Sequence, residues 1–207
     1  MTLVKICGIT NLDDARVAVD AGADALGFNF YPRSPRCVSP AAASEIIDQL
    51  APSVLRVGVF VNEEAQSLLR IVSEANLSAV QLHGDESPHY CDQLKQLFVI
   101  KAFAASEGLH LSAYDVEAIM LDTKDDLLRG GTGRVFDWSI AQRASKSVKS
   151  AAKLFLAGGL SPENVANAIA TVKPYAVDAC SCLEETPGKK NHERVRAFIN
   201  AVRSSTA

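Results

Sequence analysis

Leu3-Val4-Lys5-Ile6-Cys7-Gly8-Ile9-Thr10-Asn11-Leu12-Asp13-Asp14-Ala15-Arg16-Val17-Ala18 sets the rhythm of the whole chain. The apolar run Leu3 to Cys7 predicts a strand. Asn11 is a candidate helix N-cap, and the aspartates behind it fall in the first turn, where the positive end of the helix dipole favours acids. The same phrase recurs along the 207 residues. Further strands are predicted at 25–30, 55–61, 78–82, 98–103, 118–121, 153–157 and 175–179. Helices are predicted at 40–50, 63–75, 88–97, 138–147, 162–172 and 191–203, with Pro40 suited to the first helical position. Strands alternating with helix-length segments imply a parallel sheet. Eight units favour closure into a single (β/α)8 TIM barrel, one catalytic domain over 1–207, with an open doubly wound sheet as the alternative. One unit is irregular. Gly108 and Ser112-Ala113-Tyr114-Asp115 predict that the helix after the fifth strand is reduced or replaced by a loop.

Hydrophobic residues make up 48% and charged residues 22%, an ordinary globular balance, and the formal net charge of -3 gives no electrostatic reason to expect nucleic acid or an anionic membrane as partner. No apolar run approaches the roughly 20 residues of a membrane-spanning helix. The N-terminus runs straight into a strand with no secretion-signal pattern. The five cysteines, at 7, 37, 91, 180 and 182, are a poor disulfide framework, so reduced thiols in the cytoplasm are expected. A phosphorylated small molecule would have to be bound by backbone N–H groups and a few local cations. The assembly expected is a monomer or homodimer.

Strand parity sorts the candidate residues, because successive side chains point to opposite faces. Val4 and Ile6 oppose Lys5 and Cys7. Val80 and Leu82 oppose Gln81 and His83. Ile119 and Leu121 oppose Asp122, and Val177 opposes Asp178. The apolar faces must meet the helices, so Cys7, His83 and Asp122 point inward at the C-terminal ends of their strands, the catalytic face of such barrels. Lys5 is expected to pair with Asp178 inside the barrel, since buried charges need partners. Gly158-Gly159, at the end of the seventh strand and just before a helix, suits an anion. Tyr31-Pro32-Arg33-Ser34-Pro35-Arg36 is a stiffened loop presenting guanidinium groups, and Arg suits bidentate recognition of a carboxylate. Arg129-Gly130-Gly131-Thr132-Gly133 is a candidate lid. Cys180 and Cys182 form a Cys-x-Cys, but no matching Cys or His pair is evident, so no metal is expected, and no cofactor.

Val4-Lys5-Ile6-Cys7-Gly8-Ile9-Thr10 resembles the N-terminal signature of phosphoribosylanthranilate isomerases. The resemblance continues, in order, through Gly27-Phe28-Asn29-Phe30-Tyr31-Pro32 with Ser34-Pro35-Arg36, then Val57-Gly58-Val59-Phe60-Val61-Asn62 and Gln81-Leu82-His83-Gly84-Asp85-Glu86. It ends with Leu121-Asp122-Thr123, Gly130-Gly131-Thr132-Gly133 with Phe136-Asp137-Trp138, and Leu156-Ala157-Gly158-Gly159-Leu160. It implies an Amadori rearrangement of N-(5-phosphoribosyl)anthranilate in tryptophan biosynthesis. It further implies Asp122 as general acid, Cys7 as general base, and Arg36 near the anthranilate carboxylate. His83 and Asp178 are further candidate substrate-binding residues, His83 with an architectural role as the alternative. Gly158, Gly159, Cys180 and Ser181 are the candidate phosphate-binding residues. Related barrels of the histidine pathway carry a carboxylate at the first strand, where this chain has Cys7. A barrel that only binds a phosphorylated ligand would not need both Cys7 and Asp122. One stretch departs from the family's usual Ser-Ser-Gly: Cys180-Ser181-Cys182 replaces a hydroxyl and a glycine with thiols. A thiol is the weaker donor, and Cys adopts positive φ less freely than Gly.

Overall fold

The computed structural model describes residues 1–106, 108–123, 136–145 and 152–205. The core strands are β1 (Leu3–Cys7), β2 (Ala25–Asn29), β3 (Leu55–Phe60), β4 (Ala79–Leu82), β5 (Phe98–Ala104), β6 (Ala118–Asp122), β7 (Lys153–Leu156) and β8 (Ala176–Ala179). They pair in that order as a closed parallel barrel, with β1 returning to β8 in the register Lys5↔Asp178 and Ile6↔Ala179. The open-sheet alternative is thereby excluded. The helices are α1 (Leu12–Asp20), α2 (Pro40–Ile47), α3 (Ala65–Glu74), α4 (Pro88–Asp92), α5 (Trp138–Ser145), α6 (Val165–Val172) and α7 (His192–Ser205). Among the described residues between β5 and β6 the one helical element is a 3-10 turn, Leu111–Ala113, as Gly108 and the polar run after it predict.

Several helices are shorter than their periodicity implies. α4 has five residues rather than ten, because the chain turns after Asp92, and α6 begins at Val165 rather than Pro162. Asn164 accounts for the late start of α6: its side chain accepts from the Ser161 N–H at 2.9 Å and donates to the Gly159 carbonyl at 2.9 Å, stapling the preceding turn. Asn11 caps α1 as expected, accepting from the Asp14 N–H. A hairpin the strand pattern does not predict, β9 (Glu184–Thr186) with β10 (Lys189–Lys190), follows a 3-10 turn at Ser181–Leu183. The lid candidate Arg129 to Gly133, and the predicted end of the helix at 147, lie outside the described residues.

Parity holds around the barrel. Val4, Ile6, Leu82, Ile119, Leu121 and Val177 belong to the outer core shared with the helices. A separate inner core of Val57, Ala79, Ile100, Ala118, Met120 and Phe155 fills the barrel, with small residues admitting the larger ones. Among the described residues, no helix is long and apolar enough to cross a membrane.

Lys101 is the exception to an apolar outer face. It shares the face of Val99, and its ammonium is buried under the loop after β4, donating to the carbonyls of Leu82, Gly84 and Ala102 and to Glu86 Oε2 at 2.9 Å. Glu86 in turn accepts from the backbone N–H groups of Asn62 and Gly84, tying the loops after β3 and β4 together. Removing one member of a buried pair leaves the other charge uncompensated. Lys101→Ala is therefore expected to lower the unfolding free energy in urea by about 3–5 kcal/mol; a loss below about 1 kcal/mol, the range of exposed pairs, would contradict it.

Candidate active site

Cys7 closes β1 and is buried, with Gly27 its partner on β2. A Cβ at position 27 would stand 2.7 Å from Cys7 Sγ and 3.1 Å from Lys5 Nζ, so the glycine makes room for both inward side chains. Lys5 donates to Asp178 Oδ1 at 2.8 Å across the β1–β8 seam, the pairing expected from parity. Burial works against the Lys5 ammonium, but Asp178 and then Cys7 more than offset it and hold it protonated.

Cys180 stands beside Cys7. A side-chain hydrogen bond from Cys180 is the largest influence on the Cys7 thiol and lowers its pKa; burial opposes this, while Lys5 and Lys190 add positive charge that favours the thiolate. Lys190, at the end of β10, is fully enclosed. It donates to Glu184 Oε1 at 2.9 Å, with Cys180 Sγ 3.7 Å away.

Asp122 ends β6, facing the same rim. Its Oδ1 accepts from the Thr123 N–H at 2.7 Å, and its Oδ2 lies 3.6 Å from His83 Nε2. Burial, aided by the charge of Asp178, pushes the Asp122 carboxyl up from 3.8 to about 7, despite the Thr123 hydrogen bond. Gln81 Nε2 lies 3.0 Å from His83 Nδ1. With Gln81 donating there, the neutral imidazole carries its proton on Nε2, facing Asp122.

Asp122, Gly158, Gly159, Asp178, Cys180, Ser181 and Cys182 line one cleft of about 340 Å³. Gly158 has φ +87°, and a Cβ there would stand 2.7 Å from the Thr123 backbone nitrogen and 3.1 Å from Asp122 Oδ1. Only glycine lets this loop come so close to the acid. The thiols of the strand-8 loop do not disturb its backbone in the way positive φ would: Cys182 lies in a 3-10 turn and is not among the residues with positive φ.

Arg36 is placed differently from the other candidates. Its Nε and Nη2 grip Glu184 at 2.9 and 2.7 Å, so the two-pronged edge expected for a substrate carboxylate already holds one from the chain itself. Nη1 is the edge that Glu184 does not use. Sequence reasoning missed Glu184 and Lys190. The turn signal Pro187-Gly188 was available, but nothing in Lys189-Lys190 tells which lysine is buried.

Residues 4–201 match the family model described as N-(5'phosphoribosyl)anthranilate (PRA) isomerase. The chain is 46% identical over 206 residues to the N-(5'-phosphoribosyl)anthranilate isomerase of Syntrophus aciditrophicus, covering 98% of this chain and 88% of that one. It superimposes with a TM-score of 0.91 on the crystal structure of phosphoribosyl anthranilate isomerase from Thermotoga maritima, at 44% identity and covering 99% and 100% of the two chains. A further phosphoribosyl anthranilate isomerase structure, in complex with reduced 1-(o-carboxyphenylamino)-1-deoxyribulose 5-phosphate, matches with a TM-score of 0.88 at 43% identity, covering 99% and 100%.

The raised Asp122 carboxyl carries a stability cost with a definite sign. Below pH 3.8 both states hold the proton. Between 3.8 and about 7 the unfolded chain ionises while the folded one does not, so the folded state loses stability as pH rises, by on the order of 4 kcal/mol in all. Asp122→Asn removes this cost. Relative to the unsubstituted protein, the variant should gain a few kcal/mol in denaturant unfolding at pH 8 over its difference at pH 4. Equal differences at both pH values would contradict the burial of the carboxyl.

Proposed function

This chain belongs to the N-(5'-phosphoribosyl)anthranilate isomerase family, and from that premise we propose that it performs the Amadori rearrangement of tryptophan biosynthesis, with Asp122 as general acid and Cys7 as general base. The substrate is N-(5'-phosphoribosyl)anthranilate and the product 1-(2-carboxyphenylamino)-1-deoxyribulose 5-phosphate. The reaction needs a group that is still protonated near neutrality and a second that has already lost its proton. The observation that carries the assignment is the opposite displacement of two groups on one rim: Asp122 held up at about 7 by burial, Cys7 drawn down by Cys180 and two lysines.

In the proposed sequence, the Asp122 carboxyl protonates the ribose ring oxygen, and the anthranilate nitrogen pushes the ring open to a Schiff base. The Cys7 thiolate removes the C2 proton, and its electrons flow toward the Schiff-base nitrogen, giving an enolamine. Ketonisation yields the aminoketose. Asp178 supports the acid by disfavouring its anion, and Lys5 supports the base by favouring its anion. His83 stands at the outer oxygen of Asp122, where a substrate hydroxyl would arrive.

The backbone around Gly158, Gly159, Cys180 and Ser181 is the proposed phosphate cradle, at the loops after β7 and β8 where barrels hold phosphate. Arg36 is the proposed partner of the anthranilate carboxylate through Nη1, its other edge being fixed by Glu184. No cofactor enters this chemistry. A monomer or homodimer in the cytoplasm, where thiols stay reduced, is the proposed setting.

The test is the loss of anthranilate-type fluorescence when the purified protein meets phosphoribosylanthranilate. Turnover is expected, with Asp122→Asn and Cys7→Ala each lowering kcat by about 10²–10⁴-fold while substrate still binds. A folded protein without turnover would overturn the function, and near-normal kcat in either variant would remove that residue from its role.

A further inference from the structure

We propose that Cys7 and Cys180 form a dithiol site at which a hydroperoxide makes a reversible disulfide, silencing the enzyme. The silencing rests on the reading of Cys7 as the base; the disulfide does not.

The barrel register brings the two sulfurs together. β1 and β8 pair through Ile6↔Ala179, the last rung of their ladder, and Cys7 and Cys180 are the next residue on each chain. Lys5 and Asp178, one inward step earlier on the same strands, already touch across this seam. Cys180 Sγ leans toward the end of β1, where a Cβ at Gly8 would stand 2.9 Å from it. Interaction between the two thiols is the largest influence on the acidity of each, and Cys180 Sγ also lies 3.8 Å from Glu184 Oε1.

The surroundings suit an attacking thiolate and a resolving thiol. Lys5 and Lys190 favour the Cys7 anion, and Cys180 holds its proton more firmly than an ordinary thiol because it donates to Cys7. Cys180 lines the cleft and Cys7, behind it, keeps 8% of its surface exposed, an opening suited only to a molecule as small as hydrogen peroxide. The second sulfur is this chain's own departure from the hydroxyl that the family pattern carries at position 180.

The chemistry balances. The Cys7 thiolate attacks one peroxide oxygen, the O–O bond breaks, and hydroxide leaves with the electron pair and takes up a proton, leaving a sulfenic acid on Cys7. The Cys180 sulfur, releasing its proton, then attacks the Cys7 sulfur; the S–O bond breaks and the hydroxyl departs with that proton as water. Two thiols lose two electrons, one peroxide is reduced, and two waters form. Dithiothreitol reverses the bond by two thiol–disulfide exchanges.

The test is hydrogen peroxide treatment of the purified protein, followed by peptide mapping and by activity before and after dithiothreitol. A peptide joining residue 7 to residue 180 is expected in the unsubstituted protein and in Cys182→Ser, and is expected to be absent in Cys180→Ser. Activity should fall about a hundredfold or more, as loss of a base implies, and return with dithiothreitol. In Cys180→Ser no thiol traps the Cys7 sulfenic acid, so excess peroxide should carry it on to the sulfinic acid, and the loss, measured against that variant's own untreated rate, should not return with dithiothreitol. A link through Cys182 instead, no link at all, or a loss that dithiothreitol does not restore in the unsubstituted protein would overturn the proposal. The peptide is read whether or not the protein isomerises phosphoribosylanthranilate, so its absence and a failure of the proposed function are separate results.

Discussion

Across the seam where the barrel closes, Lys5 and Asp178 hold each other at 2.8 Å with almost no exposure to water. Two charges in that place are tolerable only as a pair. The pair joins the first strand to the last, and it also lays a dipole across the floor of the cleft. Each end acts on a different group. Cys7, two residues along from Lys5 on the same face, feels the cation more than the anion and is drawn toward its thiolate. Asp122, on the other side, feels Asp178 more than Lys5 and is pushed toward its acid. One ion pair thus supports both halves of the proposed proton transfer, in opposite directions.

A second layer of charge lies behind the first. Arg36 and Lys190 both grip Glu184, and burial, which would raise the Glu184 carboxyl, is outweighed by these two cations. The cluster anchors the hairpin β9–β10 under Cys180 and fixes the loop on which the proposed phosphate cradle depends. It also fixes the orientation of the Arg36 guanidinium, whose Nε and Nη2 are taken by Glu184. The rim as a whole is built at a cost to stability: a carboxyl that burial holds up to about 7, with His83 Nε2 3.6 Å away, is a poor choice for folding and a good one for a general acid.

Much of this was legible in the sequence, for reasons of period. Strand parity depends only on neighbours two residues apart, so Cys7, Asp122 and Asp178 could be turned inward without knowing the fold, and the missing helix after β5 followed from Gly108 and a polar run. Closure followed from the count of eight units, and with it the Lys5–Asp178 pair, but other long-range contacts on the rim were not legible. Arg36 meets Glu184 across 148 positions, and nothing local in either residue signals the other. Cys7 and Cys180 come one residue beyond the last rung of β1 against β8, a register that no local pattern encodes. The hairpin strands, three and two residues long, are too short to show an alternation. α4 and α6 were overextended because apolar periodicity continued past the point where a turn or the Asn164 staple took over the backbone hydrogen bonds.

The central claim is that one rim holds a neutral carboxyl and an ionised thiol at the same pH. The most direct measurement is kcat/KM for phosphoribosylanthranilate as a function of pH, which reports the ionisations of the unliganded protein. The account predicts a bell: an acid limb as Cys7 loses its proton, and an alkaline limb falling near pH 7 as Asp122 loses its own. A rate that keeps climbing well above pH 7 would contradict it, because it would mean that the acid of the reaction is not the buried carboxyl on β6.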